Sequence, residues 1–343
     1  MYNGQRCTTI FFDRDFFMAE IAIIGAGMGG LSALQVLAAA GHQVTLFDKS
    51  RGSGGRMATK KVGDASWDMG AQFMRAHSPE FAGQLQAWQQ QGWIARWQAE
   101  PHEWRQGKIL PTEDKVERFV GMPRMTGLSR QLLSSAHPFI DSTRIISAQY
   151  QADGWHLRSD DERDFGPFAG LIINTPPQQA APLLASSPGL QQQCEQVDML
   201  PCWTLLLTLP QRLNLPDMVF VKEGPLGFIA RNNSKPGRDA GEAWVIQASH
   251  DWSRQHADSP REQVQQLLLD AFAHLSGAEL SAAENLWLHR WLYAIPDTAL
   301  TLGALTDLSQ NLAVCGDWCH NPSLEGAWLS GQRAATSLLT TLN

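Results

Sequence analysis

Three glycines, Gly25, Gly27 and Gly30, followed by Asp48, are the residues whose types and spacing point most directly to a chemistry. In a G-x-G-x-x-G turn the first glycine makes the bend, the second lets the backbone approach a pyrophosphate, and the third lets a helix pack closely. The anion then meets the positive end of that helix. Asp48 stands 18 positions beyond Gly30, where a carboxylate accepts the ribose hydroxyls of a dinucleotide. Lys49-Ser50-Arg51-Gly52-Ser53-Gly54-Gly55-Arg56 follows at once. Its two arginines around a second glycine-rich turn suit the same pyrophosphate.

Other catalytic sets are missing from the spacing. His102-Glu103-x-x-Gln106 lacks the second histidine of a zinc-protease helix, and no G-x-S-x-G elbow occurs. The ten histidines show no ligand spacing, so no metal is expected. Five cysteines, Cys7, Cys194, Cys202, Cys315 and Cys319, form no C-x-x-C pair, which fits a reducing cytoplasm. Lys+Arg at 27 against Asp+Glu at 34 give a net charge of -7 with no basic run, which argues against nucleic acid. No apolar run reaches the roughly 18 residues of a membrane span, and no signal peptide opens the chain. The oligomeric state is not readable. The composition is odd in one respect, 13 Trp against 3 Tyr.

The elements that must position the glycines read clearly. Glu20-Ile21-Ala22-Ile23-Ile24 is a short apolar run of buried-strand type, and Leu31, Leu34, Leu37 and Ala38 then share one helical face. Gly41 closes the helix, and Gln43-Val44-Thr45-Leu46-Phe47 is a second buried strand ending at Asp48. Leu171–Pro176 and Asn311–Asp317 repeat the pattern of central parallel strands, and the latter leads to a helix near 324–339. Trp203–Leu209 and Ala243–Ala248 read as antiparallel strands between turn-rich stretches. The organisation predicted is a nucleotide-binding domain from residues 18–75, 139–180 and 301–343, with a second domain inserted as 76–138 and 181–300. Residues 1–17 lack a period and precede Met18, and are read as an extension outside the core.

The glycine loop with Asp48, the Gly54-Gly55-Arg56 turn, Asp68-x-Gly70-Ala71-Gln72, Cys315-Gly316-Asp317-Trp318 and Glu325-Gly326-Ala327-Trp328-Leu329-Ser330-Gly331 together resemble the flavin amine oxidase superfamily. Phe47–Met57, Arg231-Asn232-x-Ser234-Lys235-Pro236 and His289-Arg290-Trp291-Leu292-Tyr293-Ala294 more closely resemble the bacterial renalase-like flavoproteins. The resemblance implies an α/β fold: a Rossmann-like FAD-binding domain with an inserted α+β substrate domain built on an antiparallel sheet. It implies non-covalent FAD held by Gly25, Gly27, Met28, Gly29, Gly30, Asp48, Lys49, Arg51, Gly55, Arg56, Ile145, Gly316, Asp317, Glu325, Gly326 and Ala327. The final helix is expected to start near the flavin pyrimidine edge, where its positive end favours charge on the reduced ring.

For renalases the implied reaction oxidises misreduced dihydronicotinamides, the 2- or 6-dihydro isomers of NAD(P)H, with O2 as final acceptor and H2O2 as product. Such a substrate aromatises as it loses hydride, so no side-chain base is required. Orientation becomes the task of a slot expected from Gln72, Phe73, Arg231, Asn232, Trp291, Tyr293 and Trp328. Two other readings stay open. One is oxidation of a small amine, where a flavin-adjacent lysine is expected; neither Lys222 nor Lys235 has a pattern selecting it. The other is a non-catalytic FAD-binding redox sensor using Cys315 and Cys319, although cysteines on such a buried strand are ordinarily inert.

Overall fold

The computed structural model describes residues 18–133 and 135–342. The expected extension, residues 1–17, lies outside them. The strand Glu20–Ile24 is apolar on both sides because it is central: Ile21, Ala22, Ile23 and Ile24 are all buried. It belongs to a six-stranded sheet in the order Leu305–Asp307, Leu312–Val314, Gly170–Ile173, Glu20–Ile24, Gln43–Phe47 and Phe139–Ile140. All pairings are parallel except that of Leu305–Asp307 with Leu312–Val314. In register, Ile24 stands opposite both Phe47 and Ile173, and Ile173 opposite Val314. Four strands therefore end along one line, and their following loops leave from the edge where open α/β sheets bind ligands.

The helix Met28–Ala39 buries Leu31, Leu34 and Leu37 beneath this sheet. Across it lies the last helix, Leu324–Leu339. The two approach so closely that a Cβ on Gly331 would overlap the Gly29 carbonyl oxygen. Ser32 Oγ donates to the Trp328 carbonyl (2.8 Å) and receives a bond from Gln332 Nε2 (2.9 Å).

The second sheet has seven strands, ordered Glu284–Pro296, Met199–Thr208, Ala243–Ala248, Leu226–Arg231, Met218–Val221, His102–Arg105 and Lys108–Pro111. It is antiparallel except where Met218–Val221 runs parallel to His102–Arg105. Trp203, Leu205 and Leu207 turn to one face, packing with Val264, Leu268 and Phe272 of the helix Arg261–Ser276. The two-residue period leaves Cys202 and its cross-strand partner Trp291 on the opposite face, toward the parallel sheet. One apolar cluster runs from Leu31 and Leu34 through Phe81, Leu85 and Trp88 of the helix Pro79–Gln90 to Phe228 and Ala230 of the second sheet. The expected α/β architecture, parallel nucleotide-binding sheet plus antiparallel sheet, is thus the fold observed. Among the described residues no helix is long and apolar enough to cross a membrane.

Candidate functional site

A cavity of about 1140 Å³ runs from the glycine loop, along the line where the parallel strands end, to the face of the antiparallel sheet. At its first end the helix Met28–Ala39 starts on Gly27 with no side-chain cap and no acid in its first turn. By contrast, Ser78 and Ser323 cap the helices that follow them. The uncapped N–H groups beside the cavity are therefore available to an anion. Gly25 holds φ 104°, and a Cβ there would overlap the Asn174 carbonyl. Asn174 Nδ2 in turn donates to the Gly25 carbonyl (3.0 Å) and locks the turn. Asp48 accepts from Ala26 N and Ser50 N, both at 2.8 Å, one to each oxygen. Each oxygen keeps a lone pair for a ribose hydroxyl.

Midway, Arg56 and Asp317 form a two-pronged ion pair of 2.6 and 2.7 Å. Burial opposes the Arg56 charge, but the Asp317 carboxylate outweighs it and raises the pKa above the ordinary arginine value. Arg56 also donates to the Ala294 carbonyl (3.0 Å), joining the glycine-rich turn to the antiparallel sheet. Gly316 N donates to Ser330 Oγ (3.0 Å), which fixes the Cys315–Asp317 loop on the last helix.

At the far end the wall includes Phe73, Phe220, Phe228, Gln247, His289, Trp291 and Tyr293. Trp291 Nε1 donates to the Met69 carbonyl (3.1 Å) and Gln247 Nε2 to the Gly70 carbonyl (2.8 Å), pinning the 69–72 segment to the sheet. The His289 ring meets Trp291 edge to face, 4.4 Å between centroids. Burial first, then Arg261 and Lys60, lower the His289 pKa below its usual value, so its imidazole is neutral at pH 7. Among the described residues Lys49 is the one lysine of the wall; it stands at the Asp48 end, bonded to Gln179.

Behind the 69–72 segment lies a buried ionic cluster. The Asp68 carboxylate meets Lys235 Nζ (3.2 Å) and Arg238 (2.5 Å), and accepts from Met125 N (3.0 Å). Burial alone would raise the Asp68 pKa; Lys235, Arg238 and the Met125 N–H together hold it below the carboxylate range. Burial pushes Lys235 down to about 8, against the pull of Asp68 and with the help of Arg238. Lys235 Nζ also donates to Gln72 Oε1 (2.9 Å), while Gln72 Nε2 donates to the Asp68 and Gly70 carbonyls.

Of the residues expected to hold the cofactor, Gly25, Gly27, Met28, Gly29, Asp48, Lys49, Gly55, Arg56, Ile145, Gly316, Asp317 and Ala327 line this cavity. Gly30 does not; a Cβ there would strike the Gly25 carbonyl, so it serves the helix packing expected of a third glycine. Three others also stand off the cavity wall. Arg51 is exposed and stands off the wall. Glu325 is buried, and its carboxylate accepts from His77 N (2.8 Å) and Ser78 N (2.6 Å) at the start of another helix. Gly326 packs on the Asn321 carbonyl.

Of the slot candidates, Gln72, Phe73, Trp291 and Tyr293 reach the wall, though Gln72 has its amide engaged by its own segment and by Lys235. Arg231, Asn232 and Trp328 do not. The strand period that turns Phe228 to the cavity turns Arg231 away, onto Glu242 (2.9 Å) and the face of Trp244. Asn232 bridges Asp68 N and Ser66 O. Trp328 packs on Phe81, 5.5 Å between centroids.

Sequence reasoning missed Asn174 and Thr175 on the wall, whose signal was their position at the carboxyl end of a central strand. Thr175 Oγ1 is buried without a hydrogen-bond partner. It also missed Phe220, Phe228, Gln247 and Cys202, for which no local signal exists. Burial pushes the thiols of Cys202 and Cys315 up to about 12 and that of Cys319 well above its usual value, so none is a ready nucleophile.

Comparison with known proteins agrees with this geometry. Residues 23–88 match an NAD(P)-binding Rossmann-like domain, and residues 95–339 match the flavin containing amine oxidoreductase family. A 4,4'-diapophytoene desaturase of Staphylococcus haemolyticus is 52% identical over 50 residues, 15% of this chain and 10% of that protein. An L-amino acid oxidase of Bothriechis schlegelii is 50% identical over 48 residues, 14% of this chain and 10% of that protein. The matched stretch thus spans about a tenth of these relatives' length. Among solved structures, cyclohexylamine oxidase from Brevibacterium oxydans IH-35A superposes with a TM-score of 0.76 at 12% identity, covering 95% of this chain and 99% of that one. Putrescine oxidase bound to putrescine gives 0.69 at 12% identity, covering 94% and 99%. The family cofactor is FAD, and the residues fit it: uncapped helix N–H groups for the pyrophosphate, Asp48 for ribose, and an unpartnered Thr175 hydroxyl along the wall. With a family match across 95–339, well over half its length, the chain belongs to the flavin containing amine oxidoreductases.

Proposed function

We propose that this protein is a renalase-type oxidase: it takes a hydride from 2- or 6-dihydro isomers of NAD(P)H and returns NAD(P)+. The observation that carries this reading is the far end of the cavity, an aromatic wall that among the described residues has no lysine and no carboxylate, next to cations. The bound flavin supplies the two-electron acceptor. Every other requirement is one of binding and orientation. Losing hydride makes the nicotinamide aromatic, so no side chain need remove a proton from carbon. Phe73, Phe228, Trp291 and Tyr293 offer flat apolar surfaces to a planar ring, and the pinned 69–72 segment keeps that surface rigid. O2, with the hydride and one proton, leaves as H2O2.

The amine reading draws support from family membership and from two amine oxidases among the structural neighbours. Against it stands the field: His289 is neutral at pH 7 and flanked by Arg261 and Lys60, a poor reception for an ammonium ion. The redox-sensor reading would need reactive thiols, and Cys315 and Cys319 are fully buried with raised pKa values. The inserted-domain division and a cytoplasmic location remain part of the proposal.

The test is anaerobic mixing of the yellow holoprotein with 2-, 4- and 6-dihydronicotinamide dinucleotides and with simple amines. Bleaching of the flavin by the 2- or 6-isomer is expected; rapid bleaching by amines and not by these isomers would falsify the proposal. Since no base is required, no single substitution on the aromatic wall is expected to abolish turnover while FAD content stays normal.

A further inference from the structure

We propose that the outer part of the edge strand Glu284–Pro296, with Lys60 and Arg261 beside it, docks the adenosine diphosphate portion of the substrate. This rests on the dihydronicotinamide reading and deepens it, since that substrate carries a second nucleotide that a slot for the reacting ring leaves unaccommodated. Trp287, His289 and Trp291 occupy alternate positions, hence one face of the strand, and the last two line the cavity. Trp287 is the outward continuation of that row and is 38% exposed. Lys60 Nζ sits 3.5 Å from its ring centroid. Arg261, exposed at the start of its helix, reaches the same edge and donates to the Leu288 carbonyl.

His289, two positions from Trp287 on the same strand face, lines the cavity, so the patch and the cavity adjoin. Among the described residues, Lys60, Arg261 and Arg290 form no ion pair with a carboxylate. In a chain of net charge -7 this is a local positive field without a carboxylate partner. Cations whose charge no carboxylate neutralises suit a diphosphate, and an exposed indole suits a purine face. Trp287 and Trp291 are four residues apart, about 13 Å at roughly 3.3 Å per residue, a span that an extended dinucleotide bridges.

The experiment compares turnover of a 6-dihydronicotinamide dinucleotide with that of the corresponding riboside, which lacks phosphate and adenine. Calorimetry of the holoprotein with ADP-ribose, which lacks the reacting ring, reads the dock alone. In the double variant Lys60→Glu, Trp287→Ala the dinucleotide-to-riboside ratio of kcat/KM is expected to fall about tenfold, and ADP-ribose affinity by a similar factor. Raising salt should lower the same ratio in the unmodified protein. Lys60→Gln, with FAD content checked, carries the test if the double variant fails to fold. An unchanged ratio, or ADP-ribose that does not bind the unmodified holoprotein, overturns the dock. If no dihydronicotinamide turns over but ADP-ribose binds and the variants lose it, the dock stands and the assigned reaction falls.

Discussion

The two ends of the cavity are made of different material. At the glycine loop the wall is largely backbone: peptide N–H groups of an uncapped helix and a turn locked by Asn174 on the Gly25 carbonyl. At the antiparallel sheet it is side chains, with Phe220, Phe228, Gln247 and Trp291 each delivered by a different strand. A backbone site can be built only where a Cβ is absent, so it tolerates almost no substitution there. A side-chain site accepts residues of similar shape, because its surface is redundant.

The largest effect should come from the buried ionic cluster behind the 69–72 segment. Asp68→Ala leaves Lys235 and Arg238 buried without their partner, and a loss of about 3–5 kcal/mol is expected in denaturant or thermal unfolding. The pH profile of the unmodified protein carries the same information. The folded pKa of Asp68 is depressed, so its contribution is present above the unfolded value near about 4 and lost as pH falls through the folded value. Asp68→Asn should therefore flatten the acid limb of stability; an unaltered limb would mean that the cluster contributes nothing.

Next is Gly25→Ala, which forces an L side chain to φ 104° and into the Asn174 carbonyl. Backbone strain of about 1–3 kcal/mol plus that overlap should leave the purified protein largely free of flavin. Full FAD content would undo the claim that the backbone end tolerates no Cβ. Asp48→Ala should be milder, weakening FAD by about 1.5–3 kcal/mol for the lost charged hydrogen bonds, read by flavin release on dilution. Smallest is Phe228→Leu at the side-chain end, where kcat/KM should fall no more than about tenfold. A complete loss of turnover there would erase the contrast between the two ends.

The same contrast explains what was legible before folding. Gly25, Gly27, Asp48 and the last helix announced themselves because each is local: a motif, a strand end or a run of helical period. Arg231 misled because its neighbourhood resembles a site while its strand parity points it to Glu242. Lys235, weighed as a flavin-adjacent lysine, had no readable role because its partner Asp68 lies 167 positions away in sequence. The excess of tryptophan divides likewise: Trp67, Trp155, Trp203 and Trp244 are buried packing, Trp318 is buried on the cavity wall, and among the described residues only the edge-strand pair Trp287 and Trp291 combines partial exposure with contact to cations or the cavity wall.

The close crossing of the first and last helices also bears on the order of assembly. Gly29, in the phosphate cradle, is backed by Gly331, and the Gly316 loop is fastened by Ser330. A protein is made from its amino end, so the glycine motif emerges early yet lacks its support until the helix Leu324–Leu339 has left the ribosome. Cofactor capture therefore waits for that helix. Messages cut short before residue 324 should yield colourless, unstable fragments even though the whole nucleotide motif is present.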